Sequence, residues 1–401
     1  MKIYTDSRRF QLVQFVLQVF FTGMTLGLFR TVIPVLSEVE FNVPRDSYLL
    51  LASFVLAFGV VKSFANLWGS GLSNRHGRKK ILVIGWLFAA PIPPMLVYAD
   101  NWGWIVAATV LLGVQQGCCW SMSQIAKLDL VRRGRHGTVI GWNEFAGYFG
   151  VALGGYLTPE LVLALGTRTG LLVFSGAMIG VALLFAVLLC IETLSIGLRA
   201  EGGDGAAPES GGGTFWRVSF TDRVSSVICL AGLVEKFVDV LVWVVFPVYL
   251  HRRGFSLPAI GLVTGAYAVT WGVVQLPSGL LADRVSLKLL INSGMVLCGI
   301  ASLTILASDH PAWWFGNAVV MGAGMGLLYP TLSTVISRFS SPALRAPAMG
   351  VYRFWRDFGY AVGSAALGAA AVLYGGLAAA FAVTAAAMLL TAALLHWRCP
   401  S

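Results

Sequence analysis

Residues 70–79 read Ser70-Gly71-Leu72-Ser73-Asn74-Arg75-His76-Gly77-Arg78-Lys79, and residues 279–288 read Gly279-Leu280-Leu281-Ala282-Asp283-Arg284-Val285-Ser286-Leu287-Lys288. The stretches lie 209 positions apart (279 against 70) and share a leucine, a small residue, an Asn/Asp, an arginine and a closing lysine in register. At the same offset Gly113 and Gly117 fall on Gly322 and Gly326, Trp120 on Tyr329, Gly141 on Gly350, Phe145 on Phe354, Gly150 on Gly359 and Gly154 on Gly363. Ahead of the first external loop the offset becomes 213, which sets Pro34 on Pro247. Composition bias can align glycines, but it does not readily put Trp120 on Tyr329. The chain reads as two halves of one design. Repeated glycines let helices approach closely within a bilayer, and parallel six-helix repeats are a transporter architecture.

The composition places the repeat in lipid. Of 401 residues, 57% are hydrophobic and 11% charged, with a mean hydropathy of +0.78. Soluble domains carry about 25% charged residues, so this chain cannot cover a water-facing surface. Soluble enzyme, nucleic-acid binder and disordered protein are excluded. A helix needs about 20 apolar residues to cross the hydrocarbon. Such runs occur near 11–37, 48–71, 81–99, 103–126, 138–165, 170–191, 224–250, 259–281, 288–307, 312–336, 346–373 and 376–397. The predicted fold is an all-α membrane protein of twelve transmembrane helices in two pseudo-symmetric six-helix bundles. Residues 1–195 and 223–401 form the bundles, and the Gly/Ser/Ala-rich stretch 196–222 is a flexible cytoplasmic linker. Residues 1–10 are polar and basic, and the apolar run after them exceeds a signal-peptide core, so the first run reads as an uncleaved membrane helix.

Of 28 Lys and Arg, nineteen, Lys127 among them, fall in loops on the N-terminal side. Four lie opposite (Arg45, Arg168, Arg252, Arg253), and five lie within spans. That asymmetry puts both termini in the cytoplasm of a cell inner (cytoplasmic) membrane, and it accounts for the net charge of +10 without a nucleic-acid partner. Cys118, Cys119, Cys190, Cys229 and Cys298 lie in apolar runs and Cys399 near the end, which reads as free thiols.

The repeated loop resembles the signature loop of the major facilitator superfamily, G-x-L-a-D-r-x-G-r-k, and the resemblance covers essentially the whole chain. It implies two bundles that rock about a central cavity to alternate access. Its gating residues would be Asn74, Arg75, Gly77, Arg78, Asp283 and Arg284. A carboxylate facing a neighbouring helix N-terminus and an arginine can latch one side shut. Asn74 replaces the first-half carboxylate, so the latch is expected to rest on Asp283. Where drug/proton antiporters of the family resemble R-x-x-Q-G, this chain has Gly113-Val114-Gln115-Gln116-Gly117, without the arginine. Where they resemble G-x-x-x-G-P-x-x-G-G, it has Ala146, then Gly150 to Gly155 without the proline. Residues 141–148 and 350–357 resemble a prokaryotic permease group.

Ions at membrane depth are expensive and mark functional sites by default. Here they are Arg30, Lys62, Glu144, Glu235, Lys236, Asp239, Arg353, Arg356 and Asp357. All sit on spans one, two, five, seven and eleven, which in the family fold line or flank the cavity. Glu144 and Arg353 are equivalent at offset 209 and are expected either to pair across the cavity or to divide proton and anion binding. Glu235 and Asp239 share a helix face, an arrangement that suits a proton carrier, with Glu235 itself read as solvated near the cytoplasmic mouth. An internal Arg353–Asp357 pair would leave Arg356 free or reaching the cytoplasmic interface. The proton-coupling candidates are therefore Glu144 and Asp239. The substrate-binding candidates are Arg30, Lys62, Asn66, Asn143, Arg353, Arg356, Trp120 and Tyr329, a cation-rich set suited to an anionic group. Mutual neutralisation of the charges is the competing structural role. Trp142, Trp243, Trp271 and Trp355 are read as cavity walls or interfacial anchors.

No metal site is expected: the five histidines lie in loops or at a helix end, and Cys118 and Cys119 diverge by about 100° on a helix. Metalloprotease, phosphate-loop and nucleophile-elbow motifs are absent, so the chain is not read as an enzyme and needs no cofactor. The reading is a monomeric secondary transporter, exporting an anionic or carboxylate-bearing small molecule against protons. Drug, metal or metalloid efflux is the alternative, and a non-transporting membrane scaffold or sensor is the rival class.

Overall fold

A computed structural model describes residues 7–31, 33, 41, 48–131, 133–200, 211–255, 257–340, 342–374 and 376–398. Lys2, Pro34, Arg45, Arg132 and Cys399 lie outside them, as do residues 201–210 of the linker. Among the described residues there are twelve long helical segments and no strand. The first six are α1 (Arg8–Thr31), α2 (Tyr48–His76), α3 (Arg78–Ala89, resumed as Ile92–Tyr98), α4 (Trp102–Asp129), α5 (His136–Leu165) and α6 (Thr167–Leu188). The break in α3 falls at Pro91, Pro93 and Pro94, which cannot donate to a continuing helix. The second six begin with α7, Arg223–Val240, which runs through a π-type turn (Leu241–Val245) into Phe246–Arg252. Next come α8 (Leu257–Ala282), α9 (Leu287–Thr304), α10 (Pro311–Phe339), α11 (Pro342–Leu373) and α12 (Ala378–Arg398).

Ten of these are long and apolar enough to cross a membrane by length and composition. The other two, α7 and α11, carry most of the buried charges, three residues each: Glu235, Lys236 and Asp239, and Arg353, Arg356 and Asp357. The chain is a multi-pass membrane protein.

Glycine decides how the helices cross. A Cβ at Gly150 on α5 would stand 2.1 Å from the Phe20 carbonyl oxygen of α1, and one at Gly23 would stand 1.9 Å from the Gly147 carbonyl oxygen. The second half repeats the crossing: a Cβ at Gly359 on α11 would lie 2.2 Å from the Leu233 carbonyl oxygen of α7. Such backbone-to-backbone contact supplies the dispersion that holds helices together in lipid, where no hydrophobic force acts between them.

The two halves meet along two seams, α2 against α11 and α5 against α8. At their tight ends Gly350 packs on Asn66 and Ser70, and its repeat partner Gly141 packs on Gln275 and Gly279.

Three segments at or beside the ends of the 196–222 stretch are ordered as helix. Leu194–Ala200, Gly211–Trp216 and Arg217–Thr221 are helical. Phe215 lies 5.6 Å from Phe354 between ring centroids, and Trp355 donates to the Ser219 hydroxyl at 2.8 Å. Aromatic residues following the glycine run give that part of the chain something to bury against α11.

Candidate transport site

Every charged residue picked out at membrane depth converges on one region between the halves. Arg30 of α1 donates to Asp239 of α7 at 2.9 Å and to the Tyr360 hydroxyl of α11 at 3.0 Å. Tyr360 in turn donates to the same carboxylate. The Arg30 guanidinium lies over the Trp243 ring at 4.5 Å. Lys62 of α2 stands 3.6 Å from Asp357 of α11. That carboxylate also accepts two 3.0 Å bonds from Arg356 and one of 2.6 Å from Asn66. Arg353 of α11 lies 3.6 Å from Glu144 of α5, and it donates to Ser121 at 2.8 Å and to Gln124. Glu144 further accepts from Trp120 (2.9 Å), Asn143 (2.9 Å) and Gln124 (3.2 Å). Ser121 donates to Asn66 at 2.5 Å, which ties the last two clusters together.

Three ion pairs thus bridge the halves: Arg30–Asp239, Lys62–Asp357 and Arg353–Glu144. Each is nearly or wholly buried, with Arg30 the most accessible member at 13%. Breaking a buried pair leaves an uncompensated charge and costs about 3–5 kcal/mol. The three pairs therefore hold the two halves against one another in this arrangement.

Several expectations are corrected. Arg353 does not pair with Asp357 one helical turn away. Arg356, its direct neighbour, wraps that carboxylate with two bonds, while Arg353 points across the seam to Glu144. Arg356 is accordingly neither free nor at the interface, and it lies over the Tyr329 ring at 4.6 Å. Glu235 is not solvated at a mouth: it lies three turns into α7, fully buried. Trp142 is half exposed, so of its two expected roles the cavity wall does not apply. Lys127 is no loop residue, since it is buried in the last turn of α4 and donates to the Phe15 carbonyl at 3.2 Å. Residues that sequence reasoning passed over include Ser121 and Gln124, one and four positions after Trp120, and Tyr360, one turn beyond Asp357. Gln124 and Tyr360 follow Trp120 and Asp357 at helical spacing, which sets each on the same helix face as its predecessor.

At the loop end the two signature stretches differ. Asp283 accepts from the backbone N–H of Gly137 (3.1 Å) and Thr138 (2.9 Å) at the start of α5, from the Thr138 hydroxyl (2.9 Å), and from Arg338 (2.8 Å). It caps a helix of the other half, where the helix dipole favours an anion. Nearby His136 meets Ser337 at 2.9 Å. Asn74 instead accepts from Arg78 of its own half at 2.7 Å, and Arg78 also bonds Ser73 and Asp129. Gly77 has φ +95°, and a Cβ there would lie 2.1 Å from Glu192, whose carboxylate accepts from the backbone N–H of Arg78 at 2.9 Å. Arg75 and Arg284 are exposed.

A twelve-helix membrane bundle, built as two repeated halves joined by ion pairs, has the architecture of a secondary transporter. The Major Facilitator Superfamily family model matches residues 15–256 and 228–400, and the chain belongs to that family. Among curated relatives it is 25% identical over 123 residues to the quinolone resistance protein NorA of Staphylococcus aureus, 31% of this chain and 32% of that one. It is 32% identical over 87 residues to the methyl viologen resistance protein SmvA of Salmonella typhimurium, 21% of this chain and 18% of that one. The match thus spans about a third or less of these relatives' length. Two solved structures share the fold over nearly all of both chains. The human organic anion transporter MFSD10 has a TM-score of 0.77 at 18% identity, covering 97% of this chain and 99% of that one. The proton:xylose symporter XylE has 0.78 at 16%, covering 98% and 97%.

Proposed function

We propose that this transporter exports an anionic or carboxylate-bearing small molecule in exchange for protons, across the cell inner membrane, with both termini in the cytoplasm. The observation that carries the reading is the charge balance of the buried centre. Six cations (Arg30, Lys62, Lys127, Lys236, Arg353, Arg356) face four carboxylates (Glu144, Glu235, Asp239, Asp357). A surplus of cations in a low-dielectric interior is a standing attraction for an anion. In the proposed cycle, protonation of Asp239 or Glu144 frees Arg30 or Arg353 from its bridging pair. The substrate anion then takes the vacated cation, with Asn66, Asn143, Trp120 and Tyr329 shaping the pocket around it. Asp283 at the α5 terminus acts as the cytoplasmic latch, and the orientation rests on the Lys/Arg asymmetry of the loops. The domain reading stays as 1–195, 196–222 and 223–401.

A second reading, drug efflux, is favoured by the resistance proteins among the partial relatives and by the aromatic rings around the buried cations. The two are separated by a toxicity screen of a deletion strain with organic acids, drugs and metals. A hit is then tested in proteoliposomes holding an internal pH dye. Its flux should move protons, and Asp239→Asn should uncouple them. Undiminished coupled flux in both Asp239→Asn and Glu144→Gln overturns the proposal.

A further inference from the structure

Glu144 and Asp239 are saturated with donors, whereas Glu235 is not. It is fully buried, and neither of its carboxylate oxygens has a hydrogen-bond partner among the described residues. Its nearest countercharge is the Lys236 ammonium at 3.6 Å, which lacks a hydrogen bond too and stands 3.8 Å from Asp239. Lys236 is otherwise enclosed by aromatic faces, Tyr329 at 4.3 Å, Tyr360 at 5.1 Å and Trp271 at 5.3 Å. The charged and titratable groups facing Glu235 are Lys236 and Asp239 on its own helix, Arg356, Asp357 and Tyr352 on α11, Tyr329 on α10, Cys298 on α9 and Tyr267 on α8. A buried carboxylate without donors is stable only when it carries a proton or leans on a cation. The cation it leans on here is already shared.

We propose that Glu235 is a further proton-binding group of the transport cycle, and that Lys236 relays its charge state to the Arg30–Asp239 pair between the halves. With Glu235 protonated, Lys236 is left to Asp239 alone and competes there with Arg30, which loosens the bridge. With Glu235 ionised, Lys236 divides between two carboxylates, Arg30 keeps Asp239, and the bridge tightens. The proton exchanges with solvent, and Lys236 remains an ammonium throughout. This rests on the proton-coupled reading above and adds a proton site outside the pairs used there.

The test needs no substrate. The whole protein in lipid nanodiscs is titrated while the carboxylic acid C=O stretch is followed by infrared difference spectroscopy. A band that vanishes as the pH is raised is expected. It should be lost in Glu235→Gln, present in Glu235→Asp, retained in Asp239→Asn and Glu144→Gln, and displaced in midpoint by Lys236→Gln. The band in Glu235→Asp separates loss of the group from loss of the fold. A band that survives Glu235→Gln, a midpoint unmoved by Lys236→Gln, or no titrating band at all overturns the proposal. The spectrum is read whether or not substrate flux moves protons, so failure here and failure of proton coupling are distinguishable.

Discussion

The two seams between the halves are built on equivalent positions and filled with opposite chemistry. Lys62 and Asp357, 3.6 Å apart on the α2–α11 seam, correspond at offset 209 to Trp271 and Tyr148 on the α5–α8 seam. Those two rings pack with centroids 3.9 Å apart and planes inclined by 35°. One seam is closed by ions, the other by aromatic faces. The assignment reverses at the loop end, where the aromatic seam carries the Asp283 cap and the ionic seam has Asn74. At these equivalent positions the Lys62–Asp357 pair fastens one seam at mid-depth and Asp283 fastens the other at the rim. In the proposed cycle a proton or a substrate anion entering the centre would compete with the mid-depth fastening and leave the rim fastening on the other seam in place.

The largest effect is expected from Asp357→Asn. The change strips the counter-ion from Lys62 and Arg356 while keeping the side chain's size, so two buried cations lose their anion. Stability should fall by about 3–5 kcal/mol, read as a lowered unfolding temperature of the purified protein. If Asp357→Asn unfolds like the parent, the ionic seam is not what closes that side.

The equivalent change on the other seam, Tyr148→Leu, removes a packed aromatic ring and leaves a partly filled space. A loss of about 2 kcal/mol is expected, from the ring pair together with the cavity. The same thermal assay should rank it clearly below Asp357→Asn, and a reversed order would mean that the aromatic seam bears the greater part of closure.

How much of this contrast was legible in the sequence depends on which distance sets it. The spans, the repeat and the depth of each charge follow from hydropathy and offset, because lipid penalises every exception. The partners do not follow, because they depend on helix rotations about α2 and α11 that no local spacing fixes. Arg353 and Asp357 sit at a spacing that favours pairing on an isolated helix, yet a rotation of α11 gives Arg353 to Glu144 and leaves the carboxylate to Arg356. Lys127 and Glu235 differ from expectation for a related reason: burial in the last turn of α4 and three turns into α7 comes from neighbouring helices rather than from the segment's own pattern. Tyr148 escaped notice because its repeat partner is an acid, and nothing in an aromatic residue announces that it replaces an ion.

At the rim, Asp283→Asn should weaken the cap on α5 by about 1–2 kcal/mol, since an amide cannot serve the Thr138 and Gly137 N–H groups and Arg338 with a full negative charge. Ser337, buried in the same seam against His136, supplies a local readout. A thiol placed there by Ser337→Cys should be labelled faster in the Asp283→Asn background than alone. Equal rates would show that the cap does not hold this seam.

The smallest change is expected from Asn74→Asp, which restores a carboxylate to the loop of the ionic seam. Asn74 already accepts from Arg78 at 2.7 Å, and Arg78 already has Asp129 at 3.2 Å, so the new charge enters a site whose cation is largely satisfied. Loop-level ion pairs contribute about 0–1 kcal/mol, and a gain within that range is expected in the thermal assay. Combined with Asp283→Asn, the substitution should not restore the slower labelling of Ser337→Cys, because the two rims lie on different seams. Rescue by Asn74→Asp would mean instead that the rims act as one latch, with either carboxylate able to close both.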